Sequence, residues 1–119
     1  MTDPAARLAQ LRWSLDAVDA ELIDLLGQRF RIIRDVAMHK RETGIAVMQP
    51  ARMGEVFDTR MRKAREAGLD PKLVERLWTA IISHACEIET EIVAVGGAGL
   101  PADLSAHTQL ATQGSGRTD

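Results

Sequence analysis

"LAQLRWSLDAVDAELIDLLGQRFRIIRDVAMHK", residues 8–40, is the stretch on which the fold turns. Leu8, Leu11, Leu15, Val18, Leu22 and Leu25 recur alternately three and four residues apart, the seam of a helix that packs lengthwise on another helix. No strand pattern competes. Just upstream, Asp3-Pro4 supplies an N-cap followed by proline at the first helical position, and Gly44 is the first residue suited to ending the helix. The pattern therefore predicts a helix from about Pro4 to about Thr43. Forty residues at ~1.5 Å each make a rod of roughly 60 Å, about twice the diameter of a compact chain of this length. One copy cannot cover such a seam, so a homodimer with the long helices side by side is expected.

Beyond Gly44, a second helix is predicted from near Pro50 to Gly68, with Met53, Val56, Phe57, Met61 and Ala64 on one face. Asp70-Pro71 repeats the cap-and-proline device and opens a third helix through about Val95, with Leu73, Leu77, Ile81, Ala85, Ile88 and Ile92 as its expected buried stripe. The fold class is all-α, with long, medium and long helices in one domain over residues 1–95. Residues 96–119 are rich in Gly, Ser, Thr and Ala, lack periodicity, and read as a disordered tail.

The composition, 45% hydrophobic and 27% charged, is that of a globular chain that folds. A net charge of -2 gives no general cationic field for nucleic acid, so any anion site must be local. The basic run Arg29, Arg31, Arg34, Lys40 and Arg41 is diluted by Asp35 and Glu42 and encircles its helix rather than forming a stripe. Trp13, Trp78, Phe30 and Phe57 are the only aromatics, too few for a base-stacking platform. Neither the single Cys86 nor His39, His84 and His107 stand at zinc-ligand spacing, and no metal or other cofactor is expected. No apolar run approaches the ~18 to 20 residues of a membrane span and no leader pattern precedes the first helix, so the expected location is cytoplasmic, without membrane attachment.

Two cations stand on the predicted seam. Continuing the heptad past Leu25 reaches Arg29, then Ile32 and Val36, then the neighbourhood of His39 and Lys40. The eleven residues from Arg29 to Lys40 leave the pair about 20° apart around an ideal helix and three turns apart along it, looking into one compartment. An isolated ion in a low-dielectric interior costs several kcal/mol, so either an anion waits there, or Arg29 sets register and the side chains snorkel to water. Arg12 flanks the same seam about 25 Å earlier along the helix and can reach Arg29 only from an antiparallel partner copy. Arg52 at the start of helix two reads alone as a solvated first-turn residue, and Glu89 at the margin of the third helix's apolar face as a boundary carboxylate. As a set they offer several cations and one acid.

This set resembles the all-helical chorismate mutase family over residues 5–93. The likeness is carried by "LRWSLDAVDAELIDLLGQR", by the progression Arg12, Arg29, Lys40, Arg52, and by "LWTAIISHACEIE" in the third helix. The resemblance implies an intertwined helical homodimer and a small dianionic substrate with two carboxylates and an enolpyruvyl ether. It further implies that Arg29 and the partner subunit's Arg12 grip the carboxylates through paired N–H donors, that Lys40 donates to the ether oxygen, and that Arg52 helps close the site. Glu89 falls where the family places a second donor to that oxygen. A carboxylate there repels the developing charge, so Glu89 is expected to work protonated, its pKa raised by apolar surroundings and only partly opposed by Lys40.

The match departs from the family around the substrate's ring. Met53 stands where a glutamate is usual, Gln49 where an acid is usual, and Ala85 where a small hydroxyl residue is usual, so the ring pocket is less acidic. This resembles the branch that includes 4-amino-4-deoxychorismate mutases and isochorismate pyruvate lyases, and "MQPAR" with "EIETEI" leans toward the mutases. The expected activity is a [3,3] rearrangement of chorismate or 4-amino-4-deoxychorismate to the prephenate type. The alternatives are an isochorismate pyruvate lyase and a helical dimerisation or regulatory module without catalysis.

Overall fold

The structure, a computed structural model, describes residues 3–96. The tail expected from residue 96 onward lies outside the described residues, apart from the helix end at Gly96. All described elements are helices: α1 (Pro4–Thr43), α2 (Pro50–Glu66) and α3 (Pro71–Gly96). None of them is long and apolar enough to cross a membrane.

The helix ends follow from local chemistry. Asp3 caps α1 by accepting the Ala6 N–H at Oδ2 (3.3 Å), and Asp70 Oδ1 accepts the Lys72 N–H at the start of α3 (2.9 Å). Each helix places proline in its first turn, where no N–H is missed. Gly44 and Gly68, both at φ 75°, end α1 and α2 in the left-handed region that a side chain resists. After α2 the Leu69 N–H returns to the Ala64 carbonyl (2.8 Å) and the Gly68 N–H to that of Arg65 (3.1 Å), satisfying the last turn and turning the chain toward α3.

The chain divides into two compact units between Ile32 and Ile33. The first unit holds the N-terminal part of α1 alone. Within a single copy its seam residues Leu8, Leu11, Leu15, Val18, Leu22 and Leu25 are between 45% and 62% exposed. Among the described residues this unit holds one helix only, with no second element of its own to bury them against.

The second unit contains the end of α1, the connecting loop, α2 and α3, with α2 packed on α3. Its buried apolar side chains are Ile33 and Ala37 of α1, Val56 and Ala64 of α2, and Val74, Ile82, Ala85 and Ala94 of α3. Burying a Val or Ile such as Val56 or Ile82 fully contributes about 1.5–3 kcal/mol.

The buried row of α3 differs from the one expected. Of the expected stripe Ala85 is buried, but Leu73 and Leu77 are exposed and Ile81, Ile88 and Ile92 half-buried, while Val74, Ile82 and Glu89 are buried as well. The third helix carries two apolar rows one residue apart, and in a single copy Val74 and Ile82 of one row are buried. That shift moves Glu89 from the margin of the apolar face to its middle.

Candidate active site

Lys40 lies one turn before the end of α1 and Glu89 two turns before the end of α3. Both are buried, Lys40 at 8% exposure and Glu89 at 0%. The Lys40 ammonium Nζ donates to Glu89 Oε1 at 2.7 Å and to the Val47 carbonyl at 2.9 Å. One cation is thus held between an acid on α3 and a backbone dipole of the loop between α1 and α2. Such a pair offsets its own desolvation only with good geometry and further hydrogen bonds, and removing one member leaves an uncompensated buried ion.

Of the positions expected to line the ring pocket, Ala85 is buried one turn before Glu89 on the same face of α3. Gln49 and Met53 are half-buried, at the residue preceding α2 and in its first turn. Arg52 is exposed and bonded to Glu55 Oε1 on its own helix, the expected habit of a first-turn arginine. Arg12 and Arg29 belong to the first unit, where Arg12 is exposed and Arg29 half-buried.

Two partners escape the sequence reading. The Val47 carbonyl is a backbone group, and no side chain signals it; only Gly44, which lets the chain turn back, hints that the loop closes on the end of α1. Glu55 is visible only as an acid three residues after Arg52. Among the described residues no group of three or more His, Cys, Asp or Glu side chains could hold a metal ion.

The described geometry is a buried ammonium held between a buried acid and a backbone carbonyl, with no side chain placed on it as a nucleophile among the contacts described. Residues 11–90 match the family chorismate mutase type II, and the chain belongs to that family. It is a chorismate mutase-type isomerase, built for a rearrangement of the chorismate-to-prephenate kind.

The chain is 37% identical over 105 residues to a 4-amino-4-deoxychorismate mutase of Streptomyces pristinaespiralis, covering 88% of this chain and 79% of that protein. It is 35% identical over 82 residues to a 4-amino-4-deoxychorismate mutase of Streptomyces venezuelae, covering 69% and 80% respectively. An isochorismate pyruvate lyase of Pseudomonas aeruginosa is 32% identical over 75 residues, 63% of this chain and 73% of that protein. No solved structure matches the chain.

Proposed function

We propose that the chain rearranges 4-amino-4-deoxychorismate, in a homodimer whose sites are shared between the two copies. The observation that carries the substrate is the likeness to two mutases of that name, one over 88% of this chain, together with Met53 at the position where the ring hydroxyl's usual acceptor is missing. A pocket built to hydrogen-bond a substrate hydroxyl rejects analogues that lack it, because its own polar group is left unpaired. Met53 makes no such demand, and Gln49 and Ala85 keep that end of the pocket neutral.

A [3,3] rearrangement needs no nucleophile. It needs the enolpyruvyl side chain held over the ring, with donors on the oxygen where negative charge builds as the C–O bond breaks. Arg29 and Arg12 of the partner subunit grip the two carboxylates. Lys40 donates to the ether oxygen, and Glu89, as the neutral acid, gives the second hydrogen bond. Arg52 leaves Glu55 to close the site. The exposed leucines of the first unit support the dimer, since a second antiparallel copy buries them and carries Arg12 to the middle of the opposite helix. The cytoplasmic location expected from the sequence forms part of the same proposal.

The test offers purified protein 4-amino-4-deoxychorismate, chorismate and isochorismate in separate assays, follows loss of the diene absorbance, and separates products by chromatography. The expected result is highest kcat/KM on the amino compound, with an isomeric product. Faster turnover of chorismate overturns the ring assignment. Pyruvate release from isochorismate overturns the mutase reading in favour of the lyase.

The protonated role of Glu89 predicts a pH profile. Burial disfavours the carboxylate and the neighbouring ammonium favours it; a bound dianion that draws on Lys40 shifts the balance toward the acid. Only the acid donates, so activity falls as pH rises through the pKa of Glu89 in the complex. A Glu89→Gln enzyme, whose amide donates at every pH, loses that alkaline limb. An unchanged limb in the variant removes Glu89 from this role.

A further inference from the structure

Gln49 occupies the N-cap of α2 at φ -131° and ψ 86°, yet its side chain makes no capping hydrogen bond. Asn, Asp or Ser at an N-cap accepts a first-turn N–H and stabilises the helix by about 1 kcal/mol; here that contribution is forgone. The Gln49 amide turns back instead. Its Nε2 donates to the Ala46 carbonyl at 3.0 Å, tying the end of the connecting loop to its middle. The next carbonyl along the chain, that of Val47, is the one that accepts from Lys40 Nζ at 2.9 Å. At the other end of the loop, Gly44 at φ 75° makes the turn, and its N–H bonds to the Lys40 carbonyl at 2.9 Å.

The loop is therefore pinned at both ends around one buried ammonium. Gly44 fixes its departure from the turn that carries Lys40, and Gln49 fixes its return. Between them stands the carbonyl that, with Glu89 Oε1 at 2.7 Å, sets the direction of the Lys40 N–H bonds. The contact between Gln49 and Ala46 does not touch Lys40. Its acceptor is the carbonyl next in the chain to the one that holds Lys40.

We propose that Gln49 is a positioning residue for Lys40, acting through the loop of residues 44–49 to hold the Val47 carbonyl against the ammonium before substrate arrives. This rests on the reading of Lys40 as the donor to the reacting oxygen and adds to Gln49 a task beyond forming a neutral wall of the ring pocket. A preorganised donor is effective because its direction is settled in advance, and a misplacement of about 1 Å can cost on the order of a hundred-fold in rate.

The experiment reads the ammonium itself, in the full chain without substrate, so its outcome is independent of which reaction the site catalyses. The 15N-resolved signal of the Lys40 side chain, assigned by its disappearance in Lys40→Met, is followed by NMR in wild type, Gln49→Met and Gln49→Ala. Wild type is expected to give a slowly exchanging ammonium signal. Both Gln49 variants are expected to exchange about ten-fold faster or more, and to lower kcat by a factor of about ten with a smaller change in KM. Gln49→Met keeps the side chain's length and loses only the donor, and Gln49→Ala is the second variant should it fold poorly. A Lys40 signal that is the same in wild type and variants overturns the proposal, whatever happens to the melting temperature or to substrate preference. So does a wild-type protein with no slowly exchanging Lys40 signal.

Discussion

Lys40→Met is expected to lower kcat by about a hundred- to a thousand-fold, the loss that follows removal of one preorganised donor from a reacting oxygen. The same change strands Glu89, which is fully buried and bonded to Lys40 at 2.7 Å. Removing one member of such a pair costs about 3–5 kcal/mol of folding stability, to be read by urea denaturation. The stranded acid avoids part of that cost by binding a proton, so in the variant its pKa lies above the ~4.3 of a free glutamate. A carboxyl group raised in the folded state favours folding at acid pH and ceases to do so as pH rises through its folded-state value. Lys40→Met should accordingly be nearer wild-type stability at pH 5 than at pH 8. The double variant Lys40→Met/Glu89→Gln removes the buried charge together with its counter-ion. It should recover most of the stability and none of the rate. If the single variant turns over substrate at the wild-type rate, Lys40 is not the donor.

The second large effect concerns the sharing of sites between copies. Arg12→Ala and Lys40→Met are each expected to be nearly inactive alone. Unfolded together in equal amounts and refolded, half the dimers carry one chain of each kind. In those mixed dimers one site has an intact Lys40 together with the partner subunit's intact Arg12, and the other site lacks both. The mixture should regain about a quarter of wild-type activity, since one site in two works in half of the molecules. Activity no greater than the sum of the two separate variants would show that Arg12 does not cross between copies.

Helix boundaries were legible because they are written in local chemistry. Asp3-Pro4, Asp70-Pro71, Gly44 and Gly68 act through their own backbone and caps, and the helices begin and end within two residues of where those signals stand. The long, medium and long order followed from the same marks. The buried row of α3 was harder to read, because Leu73, Leu77 and Ile81 keep helical spacing with the buried Ala85 as well as Val74 and Ile82 do. Periodicity identifies a stripe, and which of two adjacent stripes is covered depends on the neighbouring helix. From the sequence alone Glu89 therefore reads as a boundary residue.

At the candidate site, Lys40 was legible as a cation out of place on an apolar face, and burial together with an acid partner is what the structure gives it. The grip of the Val47 carbonyl and the backward turn of Gln49 leave no trace in side-chain pattern. They depend on the path of a six-residue loop that has no period to read.

If the site binds as proposed, the contact between Lys40 and Glu89 also sets an electrical condition on its loaded state. With Glu89 ionised the pair is neutral, and it adds no net positive charge toward a doubly negative guest or toward the charge that would appear as the ether bond opens. With Glu89 protonated, the pair carries one positive charge more than it does with Glu89 ionised. That charge sits on the Lys40 ammonium, which the proposed function sets beside the oxygen where the new charge forms, so a single proton would separate a pocket that merely holds its guest from one that drives it forward.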